Sequence, residues 1–240
     1  MTKENPGPAR LSHGEVRTII VGILLAMFLA AVDQTIVATA LPTIGRDLGD
    51  EHLLSWLVTA YLLTSTAVTP LYGKLSDIVG RRAMLLTAIA IFIAGSILCA
   101  LSPTMTILIV ARAVQGVGGG GLISLAQTII ADVVTPAERG RYMGYVSGVF
   151  VASSVLGPVL GGLFSEYLSW TAVFWVNLPL GFAAWAITAR ALAKLPRHER
   201  PARLDVTGAL LMIAFTVSLL LALSLGGVRF TWGSTEIASL

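Results

Sequence analysis

Charge is scarce in this chain. Only 12% of its 240 residues are Asp, Glu, Lys or Arg, while 55% are hydrophobic, a balance that excludes both a disordered chain and an ordinary soluble domain. Cysteine is nearly absent: Cys99 stands alone, so there is no internal disulfide and no thiolate metal cluster, and inert packing is its expected role. The three histidines, His13, His52 and His198, are too far apart for a metal-ligand spacing, and no metal is assigned. Alternating-period strands of ~10 residues are missing too, which excludes an outer-membrane barrel. Nor do the basic residues gather on one face, so the pI near 9.3 does not point to nucleic acid.

What the chain does have is apolar length. Seven stretches are long enough for the ~20 helical residues that cross ~30 Å of hydrocarbon: Thr18 to Leu41, Leu53 to Leu71, Ala83 to Leu101, Thr106 to Ala131, Tyr142 to Phe164, Val173 to Ala193 and Val206 to Leu225. Lys3, Arg10 and Arg17 precede the first. Lys74, Arg81 and Arg82 lie between the second and third, and Arg139 and Arg141 between the fourth and fifth. Arg190, at the end of the sixth, and Lys194, Arg197, Arg200 and Arg203 after it mark the connection to the seventh. Basic connections alternate with ones poor in Lys and Arg, so the positive-inside rule puts these four regions and the amino terminus in the cytoplasm of a multi-pass protein of the cell (inner) membrane. A cleaved signal ending at Ala38-Thr39-Ala40 is disfavoured, because the first run is too long, contains Asp33 and is followed by six more.

The expected organisation is a cytoplasmic arm (1–16), a unit of six helices (17–193) in two triplets, a basic Pro-bearing linker (194–205), a seventh span (206–225) and an outer segment (226–240). Three helices plus three, followed by a linker, match the weak inverted repeat of a transporter half.

Asp33 is the sharpest single signal. A carboxylate inside a spanning helix costs ~2.5–3.5 kcal/mol on insertion scales, so something must offset it. At ~1.5 Å per residue, Asp33 and Arg112 lie at similar depths from the outer ends of the first and fourth spans. Gln34 and Gln115 stand at neighbouring levels, so a polar layer across the two helices is expected. Two readings stay open: a structural pair that only joins helices, or a water-accessible carboxylate that exchanges protons beside Arg112.

Two further segments have legible physics. In Gly73-Lys74-Leu75-Ser76-Asp77-Ile78-Val79-Gly80-Arg81-Arg82, the glycines permit close approach or a tight turn, Asp77 can accept hydrogen bonds, and Arg81 with Arg82 anchors a cytoplasmic helix end. In the fifth span, Pro158 removes a backbone donor and bends the helix. Gly157 and Gly161 offer a smooth face beside Gly162, which Gly144 and Gly148 extend inward. Gly116-Val117-Gly118-Gly119-Gly120-Gly121 satisfies a dinucleotide-binding pattern formally. No strand precedes it and its surroundings are apolar, so close helix contact is the reading.

These residues together resemble the major facilitator superfamily, in particular its fourteen-helix branch of proton-coupled drug exporters. Leu29 through Pro42 is similar to that branch's first-helix motif, Gly73 through Arg82 to the superfamily's loop motif, Ile109 through Gly116 to the fourth-helix motif and Gly157 through Gly162 to the antiporter motif of the fifth. Ser169 through Pro179 resembles the entrance to the sixth helix, with Thr171 and Ala172 where Arg and Trp are usual. Leu221 through Ser234, with Gly226, Gly227, Trp232 and Gly233, resembles the region after the seventh.

The resemblance implies an all-α membrane protein, the amino-terminal six-helix half of a major facilitator fold plus one spanning helix. It implies transport rather than enzymatic activity: export of hydrophobic or cationic small molecules in exchange for protons. Asp33 and Arg112, with Gln34 and Gln115, would serve coupling. Gly73, Asp77, Gly80, Arg81 and Arg82 would serve gating, and Gly157, Pro158, Gly161 and Gly162 the antiporter helix. No cofactor is implied; the bilayer and a carboxyl-terminal half are the expected partners. A truncated, non-transporting fragment or a modulatory half is the alternative expectation.

Overall fold

The computed structural model describes residues 13–194, 205–225, 230–231 and 234–235. Most of the expected arm, the linker with Pro196, Arg197, His198, Arg200, Pro201 and Arg203, and the turn residues Gly226, Gly227, Trp232 and Gly233 lie outside the described residues. Apart from an isolated bridge residue at Phe230, regular structure among the described residues is helical.

The long helices are α1 (His13–Leu48), α2 (Leu54–Val79), α3 (Arg81–Ala100), α4 (Met105–Val133), α5 (Arg139–Tyr167), α6 (Ala172–Trp175), α7 (Asn177–Ala191) and α8 (Val206–Leu225). With α6 and α7 forming one crossing, seven are long and apolar enough to span a membrane. α1 runs past both ends of its apolar stretch, to 36 residues. It stops at Gly49, where φ is +71° and the N–H returns to the Gly45 carbonyl at 3.0 Å, a left-handed glycine stop. Gly80 separates α2 from α3 with φ of +103°, a backbone that strains any L side chain. Thr104 caps α4 by accepting from the Ile107 N–H at 3.4 Å, so the Ser102-Pro103-Thr104 turn needs no extra residues. Pro179 has no N–H to give the Trp175 carbonyl, and the helix is interrupted at Val176, between α6 and α7. α5 passes through Pro158 as one continuous helix.

The principal helix pairs are α1 with α5, α2 with α4, and α3 with α4; α1 also packs on α7 and α3 on α7. Exchanging the first triplet with the second turns the α1–α5 pair into α4–α2, which is the inverted-repeat relation expected from two groups of three. Both of those interfaces are built alike. On α4, a Cβ at Gly116 would strike Thr64 Oγ1 and the Tyr61 carbonyl, and one at Gly120 the Ser65 carbonyl. On α5, a Cβ at Gly157 would strike the Thr35 hydroxyl, and one at Gly161 the Thr39 hydroxyl and the Ile36 carbonyl. In each case a threonine donates across the gap: Thr64 to the Ala113 carbonyl at 2.8 Å and Thr35 to the Ser153 carbonyl at 2.9 Å. Small residues let the backbones approach and a hydroxyl bond fixes the register. Gly118 and Gly121 serve the other flank of α4, against Phe92 and Ala88 of α3, so the glycine run is a two-sided packing surface. The expected extension at Gly144 and Gly148 differs: a Cβ at either position meets nothing within 4 Å, as at Gly162. Those glycines face outward, because the side of α5 that packs inward is the one carrying Val146, Ser153, Gly157 and Gly161.

The buried core falls into two apolar clusters stacked along the helix axes. One takes Ile19 to Ala30 of α1, Leu85 to Ile93 of α3, Leu122 to Ile130 of α4 and Ala184 of α7. The other takes Ile36 to Ile44 of α1, Cys99 and Ala100 of α3, Met105 to Ala111 of α4, and Val173 and Phe174 of α6. The gap between them falls at Asp33 on α1, Ser96 on α3, Arg112 and Gln115 on α4 and Asn177 on α7, all buried.

Gly120→Leu should lower stability by ~1–3 kcal/mol through overpacking, read as a lower midpoint of thermal unfolding in detergent, whereas Gly148→Ala should leave that midpoint in place.

Candidate functional site

Four helices each place a polar side chain at one level, and α2 closes the side. The Asp33 carboxylate is wholly buried. Its Oδ2 accepts from the Arg112 Nη1 at 2.6 Å, and its Oδ1 accepts from Gln115 Nε2 at 2.9 Å and Asn177 Nδ2 at 2.7 Å. Arg112 is equally enclosed, at 1% exposure. Its guanidinium also donates from Nη1 to Gln115 Oε1 at 2.7 Å and from Nε to the Leu57 carbonyl of α2 at 3.3 Å. The Tyr61 ring lies 4.3 Å from the guanidinium carbon and the Phe174 ring 6.0 Å, so aromatic faces add to its stabilisation. Gln115 and Asn177 each give a second N–H to Ser96 Oγ, at 2.9 and 2.8 Å. Cys99 joins the margin of this layer with its S–H directed at Gln115 Oε1 at 3.5 Å.

The arrangement answers the energetic difficulty of a buried carboxylate. A charge this deep is tolerated when it is paired and its remaining lone pairs are satisfied; Asp33 has one guanidinium and two amide donors, all from side chains. The structure brings Asp33, Arg112 and Gln115 together. It leaves Gln34 half-buried and outside the carboxylate's hydrogen bonds. Nor is the carboxylate accessible to water in this arrangement, as one of the two readings of the pair required: it is sealed between the two apolar clusters. Ser96 and Asn177 escaped the reading of the sequence as site residues. Asn177 alone carried a signal, being the single amide side chain in the sixth apolar stretch.

A second cluster occupies the α2–α3 corner. Arg81 pairs with Asp77 at 2.7 Å through Nη2 and with Asp132, near the end of α4, at 2.9 Å through Nε. Its Nη1 also donates to Ser76 Oγ, and Ser76 in turn donates to the Gly73 carbonyl at 2.7 Å. Arg82 donates to the Ala189 carbonyl of α7 at 3.2 Å. Gly80 therefore turns the chain so that two successive arginines fasten α3, one to α2 and α4, the other to α7. Gly73 faces open space and is not a close-approach position. The antiporter segment stands apart from both clusters: Gly157 and Gly161 lie on the α1 face carrying Thr35 and Thr39, while Pro158 and Gly162 are exposed.

At the far end of α1, Trp170 Nε1 donates to Asp47 at 2.5 Å beside an open groove of about 310 Å³ that also includes Arg46, Ser165 and Ser169. Thr171, where the resembled motif has Arg, shares a hydrogen bond with Ser169 Oγ at 2.6 Å.

Two predictions follow from these geometries. Arg112→Leu alone should cost ~3–5 kcal/mol by leaving Asp33 unpaired, and the Asp33→Leu/Arg112→Leu double substitution should cost clearly less than the sum of the singles, measured as a double-mutant cycle in denaturant unfolding. Asp132→Asn, at a half-exposed pair, should change global stability by no more than ~1 kcal/mol but speed hydrogen exchange of the amides around Gly80 to Ala83.

The profile of the Major Facilitator Superfamily matches residues 23–237. The multidrug transporter protein MdtP of Bacillus subtilis is 42% identical over 222 residues, covering 92% of this chain and 41% of that protein. The efflux pump FUS6 of Gibberella moniliformis is 42% identical over 225 residues, covering 91% of this chain and 40% of that one. Among solved structures, the human organic anion transporter MFSD10 superposes with a TM-score of 0.71 at 20% identity, covering 95% of this chain and 60% of that one. The D-xylose-proton symporter gives a TM-score of 0.66 at 17% identity, covering 88% and 55%; these two likenesses concern the fold. The chain spans less than half the length of the curated relatives it matches. With its seven apolar helices and two packed triplets, it has the fold of a transporter's amino-terminal half, and it belongs to the major facilitator superfamily.

Proposed function

We propose that this chain is the amino-terminal part of a proton-coupled exporter of hydrophobic or cationic compounds, working with a carboxyl-terminal half in the cell (inner) membrane with its amino terminus in the cytoplasm. In this reading residues 17–193 are the six-helix unit, 194–205 its cytoplasmic linker and 206–225 the seventh span. The observation that carries it is the enclosed Asp33–Arg112 pair, because a carboxylate fixed in mid-span between two apolar layers is a group whose proton content changes the balance of the whole helix set.

In the sealed arrangement Asp33 is ionised and neutralised by Arg112. A proton delivered to Asp33 cancels one charge of the pair. Arg112 then keeps the Leu57 carbonyl, Gln115 Oε1 and the Tyr61 face, but α1 no longer holds it electrostatically. That difference biases α1 against α4 and favours a second arrangement of the triplets, which is what a coupling proton must do. Once the layer opens, an ionised Asp33 offers a negative site within apolar walls, suited to a hydrophobic cation, and protonation favours its release. Thr35 and Ile36 meet Gly157 within about one turn of Asp33, so sliding of α5 on α1 acts close to the charged level. The Arg81 clamp ties the opposite ends of α2, α3 and α4 and resists their separation until its ion pairs are exchanged.

The relatives named as a multidrug transporter and an efflux pump support export over uptake. The test uses this chain completed by a carboxyl-terminal half and reconstituted in vesicles. Asp33→Asn should insert normally yet lose dye efflux driven by a proton gradient by at least about tenfold, the effect of removing ~1.4 kcal/mol of coupling or more. Undiminished proton-driven efflux by that variant overturns the proposal.

A further inference from the structure

The hydrogen-bond shell of Asp33 is built entirely of donors. Oδ2 receives Arg112 Nη1; Oδ1 receives Gln115 Nε2 and Asn177 Nδ2. That shell suits a carboxylate and fails a carboxylic acid, because a proton placed on Asp33 needs an acceptor. Arg112 has no acceptor to offer. Gln115 Oε1 is committed to Arg112 Nη1 at 2.7 Å and faces Cys99 Sγ at 3.5 Å. Ser96 Oγ already accepts from both amides. Tyr61 Oη and Asn177 Oδ1 are both buried oxygens without a hydrogen-bond partner; of the two, Asn177 Oδ1 is on a side chain whose other atom already bonds the carboxylate.

We propose that Asn177 is the positioning residue for the proton on Asp33: its carboxamide presents nitrogen to the ionised carboxylate and, after a half-turn about Cβ–Cγ, oxygen to the protonated one. The inference rests on the reading of Asp33 as the proton site. The change balances without breaking a covalent bond in Asn177. One proton adds to Asp33 Oδ1, and the reversed amide brings its oxygen to the place held by Nδ2, within reach of both Asp33 Oδ1 and Ser96 Oγ. The Asp33 O–H and the Ser96 O–H then both donate to it, the latter leaving the Phe174 carbonyl, while Ser96 Oγ keeps the N–H from Gln115. The ionised state disfavours the reversed orientation, since an amide oxygen would stand 2.7 Å from a carboxylate oxygen; the protonated state disfavours the original one, since Asn177 then offers the new O–H no acceptor. Protonation and amide orientation are therefore coupled.

The location gives this reversal a consequence. Asn177 is the first residue of α7, directly after the interruption at Val176, and Phe174 one turn earlier stacks toward Arg112 and offers its carbonyl to Ser96 at 3.3 Å. The sixth crossing thus senses the proton at the point where its backbone is least continuous. The other titratable or charged groups facing Asp33 are Arg112 from α4, Tyr61 from α2 and Cys99 from α3. Arg112 has no acceptor, and neither Tyr61 nor Cys99 hydrogen-bonds the carboxylate as Asn177 does.

The chain contains two asparagines, Asn5 and Asn177, so asparagine labelling is almost a single-site probe. The experiment is infrared difference spectroscopy, acid minus neutral, on the otherwise unaltered chain in lipid vesicles with an isotope-labelled asparagine side-chain carbonyl. Asn5→Gln removes the second label. The expected result is a protonated-carboxyl band that disappears in Asp33→Gln, which adds no labelled side chain, together with a shift of the labelled amide band that titrates at the same midpoint and is lost in Asp33→Gln. A carboxyl band without an amide shift overturns the role of Asn177 while leaving Asp33 as the proton site. Absence of any Asp33-dependent carboxyl band overturns both.

Discussion

The contact between Asp33 and Arg112 is the constraint around which the other features are arranged. Neither charge could reside in the middle of a helix bundle alone, and both sit where two apolar clusters meet. Every neighbour at that level answers a need of the pair: Gln115 and Asn177 complete the carboxylate, Leu57 and Tyr61 engage the guanidinium, and Ser96 bridges the amides. A buried pair gives little net stability against apolar residues of similar size, so the pair is not explained by stability alone.

Close backbone approach is what makes that layer reachable. Arg112 and Gln115 lie on α4 beside Gly116, which lets α4 settle against Tyr61 and Thr64 of α2; Gly95 of α3 meets the Gln115 backbone so tightly that a Cβ would lie 2.5 Å from its Cα. Larger residues at these positions would move the charged groups apart by more than a hydrogen bond tolerates. The glycines act on the chemistry without touching it, by setting the distances across which side chains meet. The same logic operates between α1 and α5, where Gly157 and Gly161 receive Thr35 and Thr39 from the helix that carries Asp33.

Much of this was legible in the sequence because a bilayer removes most alternatives. Apolar runs of sufficient length become helices, alternating basic connections fix their order, and two ionisable residues at equal depth must find each other. What could not be read were partners distant in the chain with no distinguishing type. Ser96 is a small hydroxyl of a kind found throughout these helices, and Asp132 lies 51 residues from Arg81 with no spacing rule to join them. Glycines were the other difficulty. Gly116 and Gly148 look equivalent in a four-residue pattern, yet one is pressed against α2 and the other faces open space, because helix rotation is set by the whole bundle and not by the pattern alone. Gln34 failed for a similar reason: its level was right, but one residue along a helix is a turn of ~100°, which carries it away from the carboxylate next to it.

α1 is a single helix of 36 residues with Asp33 off its centre. At ~1.5 Å per residue, roughly 30 Å of it lies toward His13 and roughly 22 Å toward Leu48. Such a rod is a lever with unequal arms. Any rigid tilt about the charged level sweeps the His13 end through an arc about a third wider than the Leu48 end, near which the Trp170 to Asp47 bond holds the helix. Small excursions that one indole bond can absorb at the Leu48 end thus become larger ones at the His13 end.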